Sequence, residues 1–142
     1  LPQESSPSHE EMERAGLLED VTFTASRAFG VEEFEDEGPH YFLQLHDGSV
    51  LYLRGQYLDD YEPGFRRARR FPCTRFRAVR HKPSGDFVDV RCDGALLEPE
   101  AIFPPFPSVY FLNDDLFSDG QIITDRGFDA LKAEIASLER AN

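Results

Sequence analysis

The sequence has no tryptophan, one methionine, two cysteines and no apolar run of the roughly eighteen residues that suggest a membrane-spanning helix. Basic residues are also in the minority: the chain has 27 Asp and Glu and 15 Lys and Arg, which gives a formal net charge of −12. Non-specific nucleic-acid binding needs a basic surface, so we expect no nucleic-acid partner. No signal peptide opens the chain. Because the first residue is Leu1, we expect a fragment of a longer protein.

Motifs that carry metal or catalytic chemistry are also missing. Without a C-x-x-C or H-x-x-x-H pair, a zinc site would have to be assembled from scattered residues, namely His40, Cys73, His81 and Cys92. The aspartate-rich segment around Asp115 does not fit a calcium loop, since Phe117 and Arg126 fall at ligand positions. No phosphate-binding glycine loop or nucleophile elbow occurs. We therefore predict no metal, no cofactor and no catalytic residues.

What the chain does contain is thirteen Phe and five Tyr within a 40% apolar composition. Large rings and β-branched residues favour strands. We predict a mainly β (α+β) fold, a small β-barrel or sandwich of about 7–8 antiparallel strands with a C-terminal amphipathic helix, similar in architecture to pleckstrin-homology or SH3-like barrels. Residues 1–8 are predicted to be a linker or tail, and residues 9–142 a single domain that ends in a helix over about 126–140.

The clearest local signal is the hairpin around Asp47-Gly48, which separates two apolar runs. If His46 faces Ser49 across a two-residue turn, one face carries Leu43, Leu45, Val50 and Tyr52, and the other carries Phe42, Leu51 and Leu53. Both faces are apolar, so both need cover. A helix or loop, such as the segment with Phe103, Phe106, Tyr110 and Phe111, is one source of cover for the second face. A partner bound to Phe42, Leu51 and Leu53 is the other.

A second hairpin joins residues 73–81 to residues 86–92 through a proline and glycine turn. Strand alternation places Cys73 with Arg75 and Arg77, and Cys92 on the opposite face with the valines. Free thiols are therefore predicted, and they favour a reducing cytosol. The neighbouring arginines would lower the pKa of Cys73 and make it oxidisable.

Basic residues are concentrated between residues 66 and 82, where eight occur without an acid. The segment FRRARR contributes four of them, Arg66, Arg67, Arg69 and Arg70. Guanidinium groups match the oxygens of phosphate, so an anionic lipid or an acidic protein segment fits this patch. The alternative is internal pairing with acids such as those of residues 32–37.

The stretches EDEGPHYFLQLHDGSVLYLRGQYLDD and RRFPCTRFRAVRHKPSGDFVDVRCDGALLEP resemble a bacterial domain type of unknown function that is joined to membrane-spanning segments. The resemblance covers roughly residues 18–104 and implies a tethered domain on the cytoplasmic side of a bacterial inner membrane, with a soluble cytoplasmic protein as the alternative.

We therefore expect a non-enzymatic interaction or regulatory module that binds a protein partner or itself. Its binding residues are predicted to be Arg66, Arg67, Arg69, Arg70, Arg75, Arg77, Phe42, Leu51 and Leu53. A small hydrolase with Asp, His or Cys chemistry, and a self-assembly domain in which acids 32–37 of one copy meet the arginines of another, remain alternatives.

Overall fold

The structure is a computed structural model, and it describes residues 11, 14–32, 38–55, 58, 71–106 and 117–138. The strands are β1 (Leu18–Val31), β2 (His40–Leu45), β3 (Val50–Arg54), β4 (Arg75–His81), β5 (Phe87–Cys92), β6 (Ile102–Phe103) and β7 (Ile122–Ile123), and the helix is α1 (Phe128–Leu138). The predicted β-rich fold with a terminal helix is confirmed.

The strands form one mostly antiparallel sheet in the order β5-β4-β1-β2-β3-β7, and β6 adds to β1 as a parallel pair. Strand β1 is long enough to serve both halves, because its first part pairs with β4 and its second part with β2. A register shift at Ser26 separates the two parts, and such a bulge bends a strand.

The sheet curls without closing, since β5 and β7 do not pair with each other within the described residues. The two edges nevertheless approach each other closely. A Cβ placed on Gly120 would lie 2.4 Å from the Phe87 ring, so the glycine before β7 packs directly on the first residue of β5. The fold is therefore barrel-like but open.

The predicted β2–β3 hairpin is present, but its predicted register is wrong by one residue. Leu45 N–H donates to Ser49 O at 2.9 Å, so the loop has three residues, and Gly48 ends it with a φ of +90°. Three-residue hairpin loops of this kind place a left-handed residue at that position. The slip exchanges the faces of β3, because the side chains of a strand alternate. Leu43 consequently pairs with Leu51, and Phe42 with Tyr52.

Two apolar cores lie on the two faces of the sheet. The first contains Leu43, Leu51, Leu53 and Phe76, and the second contains Phe29, Phe42, Tyr52 and three residues of α1, namely Phe128, Leu131 and Ile135. The stripe predicted for the helix is therefore the side that packs on the sheet. Phe106, only 3% exposed, adds to this cover. Tyr110 and Phe111 lie outside the described residues.

The predicted free thiols are wrong, because Cys73 and Cys92 form a disulfide with a Cα–Cα distance of 6.2 Å. The error lies in the alternation. Strand β4 starts only at Arg75, so the regular alternation does not extend back to Cys73. The preceding Thr74 accepts a hydrogen bond from Ala25 N–H at its carbonyl and donates its own N–H to Ala95 O. Cys73 is thereby buried in the first core instead of sharing the face of Arg75. Neither cysteine is a free, oxidisable thiol.

Candidate functional site

The predicted arginine surface is charge-compensated where the structure describes it. Arg66, Arg67, Arg69 and Arg70 lie outside the described residues. On the exposed face of β4 and β5, the guanidinium groups lie near aspartates in three pairs: Arg75–Asp93 at 3.9 Å, Arg77–Asp20 at 3.3 Å and Arg91–Asp89 at 3.4 Å. Arg80 pairs with Glu19. These acids come from β1, from β5 and from the position directly after β5, and they compensate the charge of the described arginines on this face.

The predicted apolar docking surface is absent. Phe42, Leu51 and Leu53 are each 0% exposed, so they offer no area to a partner. Phe42 stacks on Phe29 with ring centroids 4.7 Å apart and meets Phe117 edge-on at 5.6 Å. Leu51 and Leu53 lie on the opposite face in the first core, because of the one-residue slip in the hairpin. The chain itself supplies the cover that both faces need.

A different feature, a cleft of about 450 Å³, opens where β1 ends, β2 begins and β6 runs alongside. Its lining consists of Gly30, Val31, Glu32, Pro39, His40, Tyr41 and Ile102. This volume lies within the range of small-ligand pockets, about 300–1,000 Å³. We call this feature the β1–β2 cleft.

Backbone hydrogen bonds fix the frame of the β1–β2 cleft. Gly30 N–H donates to Ala101 O and Glu32 N–H donates to Phe103 O, each at 2.9 Å, which holds β6 against the end of β1. On the other side, Gly30 pairs with Tyr41 in the β1–β2 register. The walls therefore belong to the sheet, which makes the cleft a pre-formed feature.

The absence of a side chain at Gly30 lets Ile102 and Tyr41 pack close to the backbone of β1. A Cβ at this position would lie 2.9 Å from Cδ1 of Ile102 and 3.1 Å from the Tyr41 ring. Glycine within a strand often marks such a close approach. Ile102 is 49% exposed, so part of its apolar side chain is accessible beside the cleft.

His40 is the buried polar residue of the cleft, with 0% exposure. Its Nδ1 lies 2.7 Å from the Tyr52 hydroxyl, and the Phe106 ring meets it edge-on at 5.0 Å. Burial, with a smaller contribution from the positive charge of Arg54, lowers the pKa of His40 from 6.5 to about 4. The imidazole is thus neutral near pH 7, able to exchange hydrogen bonds but carrying no charge.

Glu32 supplies the negative charge of the cleft. It is exposed, and among the described residues its carboxylate has no ion-pair partner, unlike the aspartates of the β4–β5 face. In the sequence it is the first of five acids in residues 32–37. Arg54, whose charge acts on His40, does not line the cleft. Glu32 is therefore the one carboxylate among the lining residues of the cleft.

A network of charged side chains outside the cleft joins α1 to the sheet. Arg27 donates two hydrogen bonds to Glu100, at 2.6 and 2.8 Å, and also contacts Asp129 of α1 at 3.0 Å. Lys132 Nζ lies 2.9 Å from the same Glu100 carboxylate. These cations lower the pKa of Glu100 to about 2. The group joins β1, the segment before β6 and the helix, which is a structural role.

Metal and thiol chemistry find no support in the part of the chain that the structure describes. Within those ranges, no three His, Cys, Asp or Glu side chains come together in a way that would hold a metal ion. The zinc set and the cysteine chemistry considered from the sequence fail for a further reason, since Cys73 and Cys92 are bonded to each other.

The described residues also include no helix with the length and apolar character needed to cross a bilayer. The protein-family models, the curated proteins and the solved structures compared with this chain contain no match to it.

Proposed function

We propose that this chain is a non-enzymatic protein-interaction module and that it holds a segment of its partner in the β1–β2 cleft. The observation that carries the proposal is the combination of a frame fixed by the sheet with an Ile102 side chain that is 49% exposed beside it. Pre-formed, partly apolar clefts with a few polar groups are the usual form of binding sites.

The alternative of a small hydrolase receives less support. A cysteine nucleophile needs a thiolate, and both sulfurs are in the disulfide. A histidine base is usually oriented by a carboxylate, whereas Nδ1 of His40 lies against the Tyr52 hydroxyl. The buried imidazole therefore fits a role in shaping and satisfying the cleft better than a role in proton transfer.

The proposal is tested by selecting binders from a display library of random twelve-residue peptides against the wild-type domain. Selected peptides are then measured by fluorescence anisotropy on two variants, Ile102→Ser and the matched control Ile122→Ser, which removes an isoleucine of similar exposure, 46%, from β7. We expect Ile102→Ser to weaken binding at least about tenfold, as for an interface anchor, and Ile122→Ser to leave it unchanged. Peptides that bind all three proteins equally, or a library that yields no binder, would contradict the proposal.

The disulfide also bears on the cellular setting. We propose an oxidising compartment in place of the reducing cytosol predicted from free thiols, because disulfides persist where thiols are not kept reduced. Attachment to a bacterial membrane stays a proposal that rests on the resemblance in the sequence. Labelling the protein with a thiol reagent directly in lysed cells tests the setting, since Cys73 and Cys92 should remain unlabelled until a reductant is added. Immediate labelling of both would contradict it.

A further inference from the structure

The charge and the apolar walls of the β1–β2 cleft indicate which chemical class of partner it suits. The cleft combines apolar walls, Ile102 and Tyr41, with the exposed carboxylate of Glu32. Lys and Arg side chains have the complementary form, because an aliphatic stem carries the charged group. A purely apolar segment would bury the same walls but would leave Glu32 without a counter-charge.

From this complementarity we infer that the β1–β2 cleft binds a cationic peptide segment in which a lysine or arginine lies next to an aliphatic residue. The inference rests on the proposed function and adds the chemical class of the partner. In this arrangement the aliphatic residue covers Ile102, and the basic side chain extends toward the Glu32 carboxylate. The volume of about 450 Å³ is large enough for two such side chains.

The net charge of the domain and the acidic residues near the cleft also favour a cationic peptide. The domain has a formal net charge of −12, so its field attracts cations at long range and repels acidic segments. Glu32 starts the most acidic six-residue stretch of the sequence, residues 32–37. Arg27, the described cation nearest in sequence to Glu32, is paired with Glu100 and Asp129. An anionic or zwitterionic segment lacks this attraction.

Three fluorescein-labelled probes test the inference by anisotropy. Each is a seven-residue peptide of glycine and serine around a central pair, which is isoleucine–lysine, isoleucine–norleucine or isoleucine–glutamate. Norleucine keeps the aliphatic stem of lysine and removes the charge. At low salt we expect the lysine probe to bind about three- to fivefold more tightly than the norleucine probe, the ratio that a partly exposed ion pair provides, and the glutamate probe to bind most weakly. The ratio should shrink toward one in 0.5 M salt.

Two acidic positions provide a matched pair of variants. Glu32→Gln should abolish the preference for lysine while leaving the norleucine probe unchanged. Asp86→Asn removes an exposed acid of the β4–β5 turn, remote from the cleft lining, and should alter neither probe. Both positions are exposed, so neither variant should disturb folding.

The outcomes separate this inference from the proposed function. If lysine and norleucine probes bind equally and Ile102→Ser weakens both, the cationic partner is wrong and the interaction module stands. If the lysine preference survives Glu32→Gln or disappears in Asp86→Asn, the inference is also overturned. If none of the probes binds at 1 mM, the stated partner chemistry is wrong, and the peptide library then decides separately whether the cleft binds peptides at all.

Discussion

Lowering the pH from 8 to 4 should destabilise the fold through the buried imidazole of His40. The folded protein holds this imidazole neutral, because burial and the charge of Arg54 lower its pKa to about 4. An unfolded chain leaves the same side chain in water, where it accepts a proton near its ordinary pKa of 6.5. Between these two values the unfolded state binds more protons, so the free energy of unfolding falls as the pH falls.

The size of this effect follows from the two pKa values. With 6.5 in the unfolded chain and about 4 in the fold, proton linkage removes about 2 kcal/mol at pH 5 and about 3 kcal/mol at pH 4. Above pH 7.5 the same group contributes almost nothing. Domains of this size are stable by about 5–15 kcal/mol, so the loss is a substantial share of the total.

Urea unfolding followed by circular dichroism at pH 8, 6, 5 and 4 measures the effect. The variant His40→Gln removes the titrating group, and its stability should therefore vary less over this range. If that variant does not fold, an NMR titration of the wild-type His40 ring gives the same information, since its resonances should not move above pH 5. A change of less than about 0.5 kcal/mol between pH 8 and 5, or a ring that titrates near 6.5, would refute the reasoning.

Three further effects on stability follow from contacts described above. Glu100→Gln should lower the free energy of unfolding by about 1 kcal/mol at pH 7, since the network is largely exposed. This difference from wild type should narrow below pH 4.5, because the Glu100 carboxyl then takes up a proton in the unfolded chain, whereas the fold holds its pKa at about 2. Gly120→Ala should destabilise more than Gly48→Ala, because both glycines have positive φ but only Gly120 packs against Phe87; equal losses in urea unfolding would contradict that packing. Reducing the disulfide, whose cysteines are 19 residues apart, should cost about 3 kcal/mol, and an unchanged urea midpoint after reduction would show that it does not stabilise the fold.

The sequence pattern alone was sufficient to predict the packed side of elements that have only one apolar face. The stripe of Phe128, Leu131 and Ile135 has the spacing of a helix, and only one of its faces is apolar, so its packed side was predictable. In β4, the alternation of Phe76 and Ala78 with Arg75 and Arg77 likewise separated the two buried side chains from the two arginines. In both elements polar residues on the second face remove the ambiguity.

The β2–β3 register was not predictable for the opposite reason. Both faces of this hairpin are apolar, so a slip of one residue exchanges apolar for apolar and the pattern gives no preference. The loop decides instead. The Asp47 carboxylate accepts hydrogen bonds from the Ser49 N–H at 3.0 Å and from the Ser49 hydroxyl at 2.6 Å, which fits the three-residue loop that is observed. Phe42 and Leu51 were therefore assigned to the same face although they lie on opposite ones.

The β1–β2 cleft could not be predicted from the sequence, because segments that are distant in the chain form it. Gly30, His40 and Ile102 are brought together by a parallel pairing of only two residues between β6 and β1, and local sequence does not show which strand such a short segment joins. Gly30 was the one local signal, since a glycine inside an apolar strand often marks a close approach. Read with the acidic run that starts at Glu32, Gly30 marks the place where β1 ends and negative charge begins. The proposed cationic partner depends on this negative charge, so this part of the proposal could have been located from the sequence.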